Sequence, residues 1–277
     1  GAIIEKVSGN SYVDYVTENI IKKLGLKNTL PDLPNERPAK LAYGYSRYLP
    51  DQPEQVKEPD SITNAYAPAT GFISDVKDLA VFLASLHLDS KKSVLSRESR
   101  KAMIQVHGIT EDDGMYGLGL ALEKDSDRMT YGHSGGFAGY TTNAISEPED
   151  DVQVIVLTNT ISNTAWAVSN NLMRLIYKLK SMKDIEYSEK EPYSGTYRCR
   201  WGDLTVVSLG KNLVDFGSGA LNPVKAWSVM KPKKKHTFTN TDKSGFGSPG
   251  EEVRFTKIKN GKAQEMSNDG MIWKRII

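Results

Sequence analysis

Between Met129 and Tyr140 the chain reads Met-Thr-Tyr-Gly-His-Ser-Gly-Gly-Phe-Ala-Gly-Tyr, four glycines and one histidine between two strand-like segments. Gly132, Gly135, Gly136 and Gly139 remove side chains where a backbone turns sharply or another group comes close. His133 stands in the middle of that bare backbone. The chemistry suited to such a stretch is a strand edge that offers glycine amides to a substrate, with the imidazole as a polar contact. A glycine-rich turn beside an ordinary surface histidine accounts for the same residues, and so short a pattern does not choose between the two.

Other chemistries are poorly supplied. The single cysteine, Cys199, precludes an internal disulfide framework and leaves too few thiols for a cysteine metal site. His87, His107, His133 and His236 are scattered without His-x-x-x-His spacing, so neither a metal nor a cofactor is expected. With 277 residues, 39% hydrophobic and 25% charged, the chain is globular and has room for two cores. No apolar run approaches the roughly 18 residues of a membrane helix, so no membrane span is expected. The opening Gly1-Ala-Ile-Ile-Glu-Lys-Val-Ser is too short and too charged for a signal peptide, which leaves compartment and export open. Net charge is +2 but uneven: residues 183–277 carry 17 basic and 11 acidic residues, a net +6, and residues 1–182 carry 19 and 23, a net −4. The run Lys231-Pro-Lys-Lys-Lys-His236 is expected to be a solvated hairpin, and without aromatic interleaving no nucleic-acid partner is expected.

The elements that must position the glycine-rich stretch follow from periodicity. Ala2–Val7 reads as the end of a helix stopped by Ser8-Gly9, and Asn10 or Ser11 caps a second helix to about Lys23, with Tyr12, Tyr15, Val16 and Ile20 on one face. Residues 26–61 hold six prolines and form a long irregular excursion whose Tyr43, Tyr45 and Tyr48 suggest packing against something. Ser74 is expected to cap a helix carrying Val76, Leu79, Phe82, Leu83 and Leu86, and Ser96 another to about Val106. Strands at Tyr116–Glu123, Arg128–His133, Tyr140–Ser146 and Val152–Asn159 make an antiparallel meander. A helix from Thr164 to Lys180 closes it, with Ala167, Leu172, Leu175, Ile176 and Leu179 facing the core.

After a charged linker, Ser181 to Pro192, eight short strands alternate with turn signals. They are Gly195–Trp201, Leu204–Leu209, Leu213–Phe216, Trp227–Met230, His236–Thr239, Glu252–Ile258, Lys262–Met266 and Met271–Ile276. That number suits an up-and-down barrel. The fold class is therefore α+β over residues 1–182, followed by an all-β eight-stranded barrel over residues 183–277.

Gly71-Phe-Ile-Ser-Asp-Val-Lys-Asp-Leu-Ala-Val-Phe82, Tyr116-Gly-Leu-Gly119, Gly132-His-Ser-Gly-Gly-Phe-Ala-Gly139 and Val154-Ile-Val-Leu-Thr-Asn159, in that order, resemble the later part of a serine hydrolase related to penicillin-binding proteins and class C β-lactamases. The resemblance covers residues 1 to about 180, and the remainder is similar to the lipocalin-like barrel appended to some members. It implies a Ser-x-x-Lys serine that attacks an acyl carbonyl while its lysine and a Tyr-x-Asn tyrosine manage the proton. It also implies a Lys-Thr-Gly or His-x-Gly triplet, which maps to His133-Ser134-Gly135. The Gly136 amide then serves as an oxyanion donor, and Ser134, Gly135 and Phe137 line a small acyl or peptide substrate. Histidine at the triplet is only partly charged near neutral pH, which disfavours carboxylate recognition of the β-lactamase kind.

No Tyr-x-Asn occurs in the sequence. Ser74-Asp-Val-Lys77 has Ser-x-x-Lys spacing, but helix capping explains it better. Lys243-Ser-Gly245 belongs to a barrel turn. The expectation is therefore that the nucleophile serine is absent, both motifs preceding Gly1. The chain would then be the C-terminal portion of such a hydrolase, inert by itself, with the missing segment or another copy of the chain as its partner. The rival expectation is a non-catalytic binding or scaffold protein whose barrel holds a small apolar ligand. It requires an interior not already filled by Val206, Leu213, Phe216, Trp227, Phe238, Phe255 and Ile272.

Overall fold

The computed structural model describes residues 1–47, 55–111, 114–125, 128–162, 164–181, 192–217, 223–241, 249–268 and 270–277. It divides into two compact units, Gly1–Asn170 and Asn171–Ile277. Most of the expected linker lies outside the described residues, as do Tyr48 and the Lys243-Ser-Gly245 triplet.

In the first unit α1 (Ala2–Ser8) ends at Gly9, whose φ of 72° a side chain would resist. The Ser11 hydroxyl caps α2 (Tyr12–Val16) by accepting from Asp14 N at 3.1 Å. A π turn (Thr17–Ile21) and α3 (Lys22–Leu24) continue the same run to the left-handed Gly25. Tyr12, Val16, Ile21, Leu24 and Leu26 bury themselves with Ala67 in one small core. Helix α4 (Val76–Leu86) is capped by Asp75, not Ser74, the carboxylate accepting from Lys77 N and Asp78 N. The Ser74 hydroxyl instead lies 2.8 Å from that of Thr29. Helix α5 (Arg97–Met103) has the expected Ser96 cap.

Six antiparallel strands follow in spatial order: β1 (Gly108–Ile109), β2 (Met115–Tyr116), β3 (Ala121–Asp125), β4 (Arg128–Phe137), β5 (Tyr140–Glu147) and β6 (Val152–Thr158). The strand expected from Tyr116 to Glu123 is broken in two. The chain turns back over Gly117–Leu120, where Gly119 has φ 73° and Gly117 N donates to Leu120 O at 2.8 Å, and a Cβ at Gly117 would lie 2.0 Å from Met103 O. Leu83 and Leu86 of α4 pack on Leu120, Leu122 and Tyr131, covering one face of the sheet. On the other face, Asn143 donates to the Ser169 hydroxyl of α6 (Thr164–Ser181) at 2.6 Å.

The buried stripe of α6 differs from the expected one. Ala165, Ser169, Asn170 and Met173 are buried, whereas Leu172 is 43% exposed. Hydrogen bonding satisfies the polar members: Ser169 also donates to Ala165 O at 2.8 Å, and Asn170 to Trp166 O.

The second unit holds a closed barrel in the order β10-β11-β12-β13-β14-β7-β8-β9. Its strands are β7 (Gly195–Cys199), β8 (Gly202–Leu209), β9 (Asn212–Gly217), β10 (Ser228–Lys234), β11 (Thr237–Asn240), β12 (Glu252–Lys259), β13 (Lys262–Asn268) and β14 (Met271–Arg275), with a short helix α7 (Pro223–Ala226) before β10. The lysine run lies on the β10–β11 hairpin, as expected. Tyr197, Leu204, Val206, Leu213, Met230, Phe238, Phe255, Met266 and Trp273 fill the interior. Of the residues expected inside, Phe216 is only half-buried and Ile272 is 54% exposed. Their places are taken by Tyr197, Met230 and Met266, all but fully buried.

Candidate active site

Strand β4 has two different halves. Arg128–Gly132 pairs with β3, from Asp125↔Arg128 to Ala121↔Gly132, and of these Tyr131 and Gly132 pair with β5 as well. Among the described residues, the only ladder from His133 to Phe137 runs to β5, where Ser134 faces Asn143, Gly135 faces Thr142 and Gly136 faces Thr141. The strand expected to be a sheet edge is thus an interior strand that becomes an edge at His133. Such an edge presents backbone donors and acceptors that no neighbouring strand satisfies.

Side-chain alternation assigns the residues to faces. Tyr131 lies on the α4 face, its hydroxyl donating to Leu83 O at 3.3 Å, and His133 and Gly135 follow it there. Burial pushes the Tyr131 phenol above its ordinary value, so it serves as a neutral donor. Thr130, Gly132, Ser134 and Gly136 belong to the α6 face with Asn143.

The His133 ring is held at both nitrogens. Nδ1 lies 2.5 Å from Ser134 O and Nε2 lies 2.7 Å from the Tyr116 hydroxyl. A carbonyl oxygen only accepts, so Nδ1 carries the hydrogen, and in the neutral ring Tyr116 donates to Nε2. The two rings meet edge to face at 5.7 Å. Tyr116 is the functional candidate that spacing missed. It is 17 residues away and reaches His133 because β2 folds back on β3, which carries it to the end of the paired part of β4.

The glycines divide by cause. At Gly132 a Cβ would lie 1.9 Å from Ala144 O, and Gly139 has φ 83° with Gly44 Cα 2.6 Å from where its Cβ would be. At Gly136 a Cβ would meet nothing within 4 Å. Packing therefore explains Gly132 and Gly139 but not Gly136.

The long excursion packs against the far end of this hairpin. Tyr45 N donates to Gly139 O and Asn159 O, Tyr140 donates to Ala42 O, and Asn159 donates to Tyr43 O. The Tyr43 ring lies between Arg37 and Lys57, with Lys57 Nζ 3.3 Å from its centroid. Asp32 anchors the excursion at Thr63 and Asn64.

A cleft of about 110 Å³ lies where Ser134, Asn143, Trp166 and Asn170 meet. Gly132 and His133 also line it, so the cleft adjoins the candidate triplet.

Ser74 and Lys77 form no catalytic pair, because Ser74 precedes the Asp75 cap and so shares no helix turn with Lys77. Two further Ser-x-x-Lys spacings, Ser208 to Lys211 and Ser228 to Lys231, lie in the barrel, the first at the β8–β9 turn and the second along β10. On a strand residues three apart point to opposite faces, which excludes a shared site for Ser228 and Lys231. Among the described residues no group of three or more His, Cys, Asp or Glu side chains is placed to hold a metal ion.

The broken meander, the covering helices and the half-open glycine strand define a serine-hydrolase fold of the β-lactamase and penicillin-binding-protein type. Residues 1–178 match the Beta-lactamase family, and the chain belongs to it. It is 30% identical over 176 residues to penicillin-binding protein 4* of Bacillus subtilis (strain 168), covering 59% of this chain and 38% of that protein. A D-stereospecific amidohydrolase from Streptomyces sp. shares 27% identity at a TM-score of 0.50, over 58% of this chain and 47% of that one. The octameric penicillin-binding protein homologue from Pyrococcus abyssi superposes at a TM-score of 0.54 with 20% identity, over 99% of this chain and 62% of that one. The chain thus spans well under half the length of the curated relative it matches.

Proposed function

We propose that residues 1–182 form one wall of the active site of a serine acyl hydrolase of peptidase, carboxypeptidase or esterase type, and that residues 183–277 form an accessory lipocalin-like barrel. The observation that carries the reading is the open half of β4, where the ladder stops at the histidine of the His-x-Gly triplet. An extended acyl or peptide substrate lies along that edge as an added strand, using backbone groups that β3 leaves unpaired.

The Nδ1–H···O bond ties the imidazole to the Ser134 carbonyl, which on this reading faces the open edge. Backbone direction repeats every second residue, so the Gly136 N–H points the same way. When a serine oxygen attacks the acyl carbonyl, negative charge gathers on the carbonyl oxygen, and the Gly136 N–H stabilises it together with the serine's own amide. Collapse expels the amine or alcohol, which takes up the proton that the serine released to its base, and water then cleaves the acyl-enzyme. In this reading the serine and its base belong to a Ser-x-x-Lys and a Tyr-x-Asn outside these 277 residues. His133 and Tyr116 line the edge, with Ser134, Gly135 and Phe137 beside them. The likeness to a D-stereospecific amidohydrolase favours an amide substrate. The likeness to an octameric homologue makes association with further copies the natural arrangement.

The test is incubation with a fluorophosphonate and with a labelled penicillin, followed by mass spectrometry. These 277 residues should take up no label, and the longer product carrying Ser-x-x-Lys should be labelled on that serine. In that product Gly136→Pro, which removes the amide hydrogen, should lower kcat by about 10²- to 10³-fold. A covalent adduct on Ser74 would sink the proposal.

A further inference from the structure

In an up-and-down barrel successive turns alternate between the two ends. One end therefore gathers the β8–β9 turn at Gly210-Lys211, the β10–β11 turn at Lys235-His236 and the β12–β13 turn at Asn260-Gly261. The chain also enters β7 and leaves β14 there: Thr196 N donates to Ile277 O at 3.1 Å, and Ala263 N to Pro192 O at 2.7 Å.

Charge at this end is one-sided. Lys233 and Lys257 are each paired, with Glu252 and Glu265, at 2.7 Å. Lys234, Lys235, Lys259 and Lys262 are exposed and make no ion pair among the described residues. None of the three turns contains an acidic residue. From Pro192 onward the sequence holds 15 basic and 7 acidic residues, a net +8.

Apolar surface is interleaved with these lysines. Ile258 is 41%, Ile276 43% and Ile277 80% exposed. The mouth itself is closed by Tyr193, whose ring packs on Phe238 at 5.1 Å and Phe255 at 4.8 Å and whose hydroxyl lies 2.9 Å from His236 Nδ1. Within this unit the end of α6 packs elsewhere, with Lys178 over Trp227, which lies just before β10 at the opposite mouth.

We propose that this end of the barrel docks on an anionic lipid surface. Unpaired lysines approach the headgroup phosphates while the isoleucines enter the boundary between headgroups and acyl chains, a combination typical of interfacial binding. Nucleic acid fits less well. Its recognition favours arginine forks or stacking aromatics, and here Arg275 is committed to Ala263 O and Ser194 O at 2.6 Å each and Arg254, level with Lys234, to Glu252 at 2.7 Å, while Tyr193 is packed inward.

The experiment is co-sedimentation of the full chain with vesicles of phosphatidylglycerol and phosphatidylcholine, beside pure phosphatidylcholine vesicles, at low and high salt. A single-stranded oligonucleotide and inorganic phosphate serve as competitors. Binding should need phosphatidylglycerol and weaken with salt as screening shortens the reach of each lysine. Each lysine within reach of the surface multiplies partitioning by roughly fivefold, so K234Q/K235Q/K259Q/K262Q should lose between about 10²- and 10³-fold. These positions are solvent-exposed, so the quadruple variant should keep the wild-type melting temperature. Ile277→Ser should weaken vesicle binding without changing its salt slope. Absent binding to phosphatidylglycerol vesicles, or equal binding by the quadruple variant, would overturn the proposal. So would displacement from the vesicles by the oligonucleotide through the same lysines, which would assign the surface to nucleic acid.

Discussion

Barrel closure rests on one short seam. Strands β14 and β7 pair only at Lys274↔Arg198 and Arg275↔Tyr197, while β12 and β13 pair at five positions. Arg275 compensates from its side chain. Its Nε donates to Ala263 O at 2.6 Å, its Nη2 to Ser194 O at 2.6 Å and to the Tyr197 hydroxyl at 3.2 Å, and its Nη1 to Ile277 O at 2.9 Å. Arg275→Met keeps the apolar stem and removes the fork. A charge-assisted bond contributes about 1.5–3 kcal/mol, and because Arg275 is half-buried, water replaces part of each. Counting only the two 2.6 Å bonds at the lower figure gives a loss of about 3 kcal/mol. In a unit of this size that lowers Tm by roughly 4 °C per kcal/mol, about 12 °C. Arg275→Lys supplies a point charge that reaches one carbonyl and should recover less than half. Differential scanning calorimetry reads the shift, and hydrogen exchange locates it. Protection should fall first at the amides of Thr196 and Ile276, which bridge the seam. A shift below about 3 °C, or full recovery by lysine, would refute the reasoning, as would protection lost evenly around the barrel.

Other substitutions separate packing from function. Gly132→Ala drives a Cβ to within 1.9 Å of Ala144 O and should cost at least about 2 kcal/mol in guanidinium unfolding, whereas Gly136→Ala, in open space, should change stability by no more than about 0.5 kcal/mol. At Asp32 burial works to raise the pKa but is outweighed by hydrogen bonds from Thr63, Asn64 and Leu33, so the carboxyl sits below its ordinary value. A depressed folded pKa gives stability that is present above the unfolded value near 4 and lost as pH falls through the folded one, so Asp32→Asn should flatten the acid limb of a stability–pH profile. Tyr116→Phe removes the partner of His133 Nε2 and should move that nitrogen's ¹⁵N resonance while costing less than about 1 kcal/mol. An unmoved resonance would mean that the pair does not form in solution.

Much of the architecture was legible because local rules agreed with the global answer. All eight barrel strands follow from alternation and turn residues, and the Ser11 and Ser96 caps follow from the side-chain oxygen that a helix start needs. The failures have local causes. At the start of α4 two adjacent residues could cap, and the carboxylate took the position because its two oxygens serve Lys77 N, Asp78 N and Asn28 Nδ2 together. On α6 the hydrophobic pattern pointed to Leu172, but the sheet offers Asn143 where the helix crosses it, and a serine answers that amide where leucine cannot. The break before Ala121 is a turn carried by Gly119 at φ 73°, a local signal in Gly117-Leu-Gly119 that the alternating apolar pattern obscured.

The candidate site was legible in composition and hidden in register. Four glycines around His133 announce a bare backbone, yet Gly132 answers to packing at Ala144 O, Gly135 to the Thr142 hydroxyl, and Gly139 to Gly44 together with its φ of 83°. What distinguishes Gly136 is the pairing that stops at Gly132 and leaves the next stretch of β4 free on one side. That stop is set by the length of β3, and the short β2 brings Tyr116 to His133 at the same place. A change that lengthened β3 by two residues would cover the edge and displace Tyr116 while leaving every residue of the glycine motif intact. On the reading proposed here such an insertion would abolish activity without touching the motif.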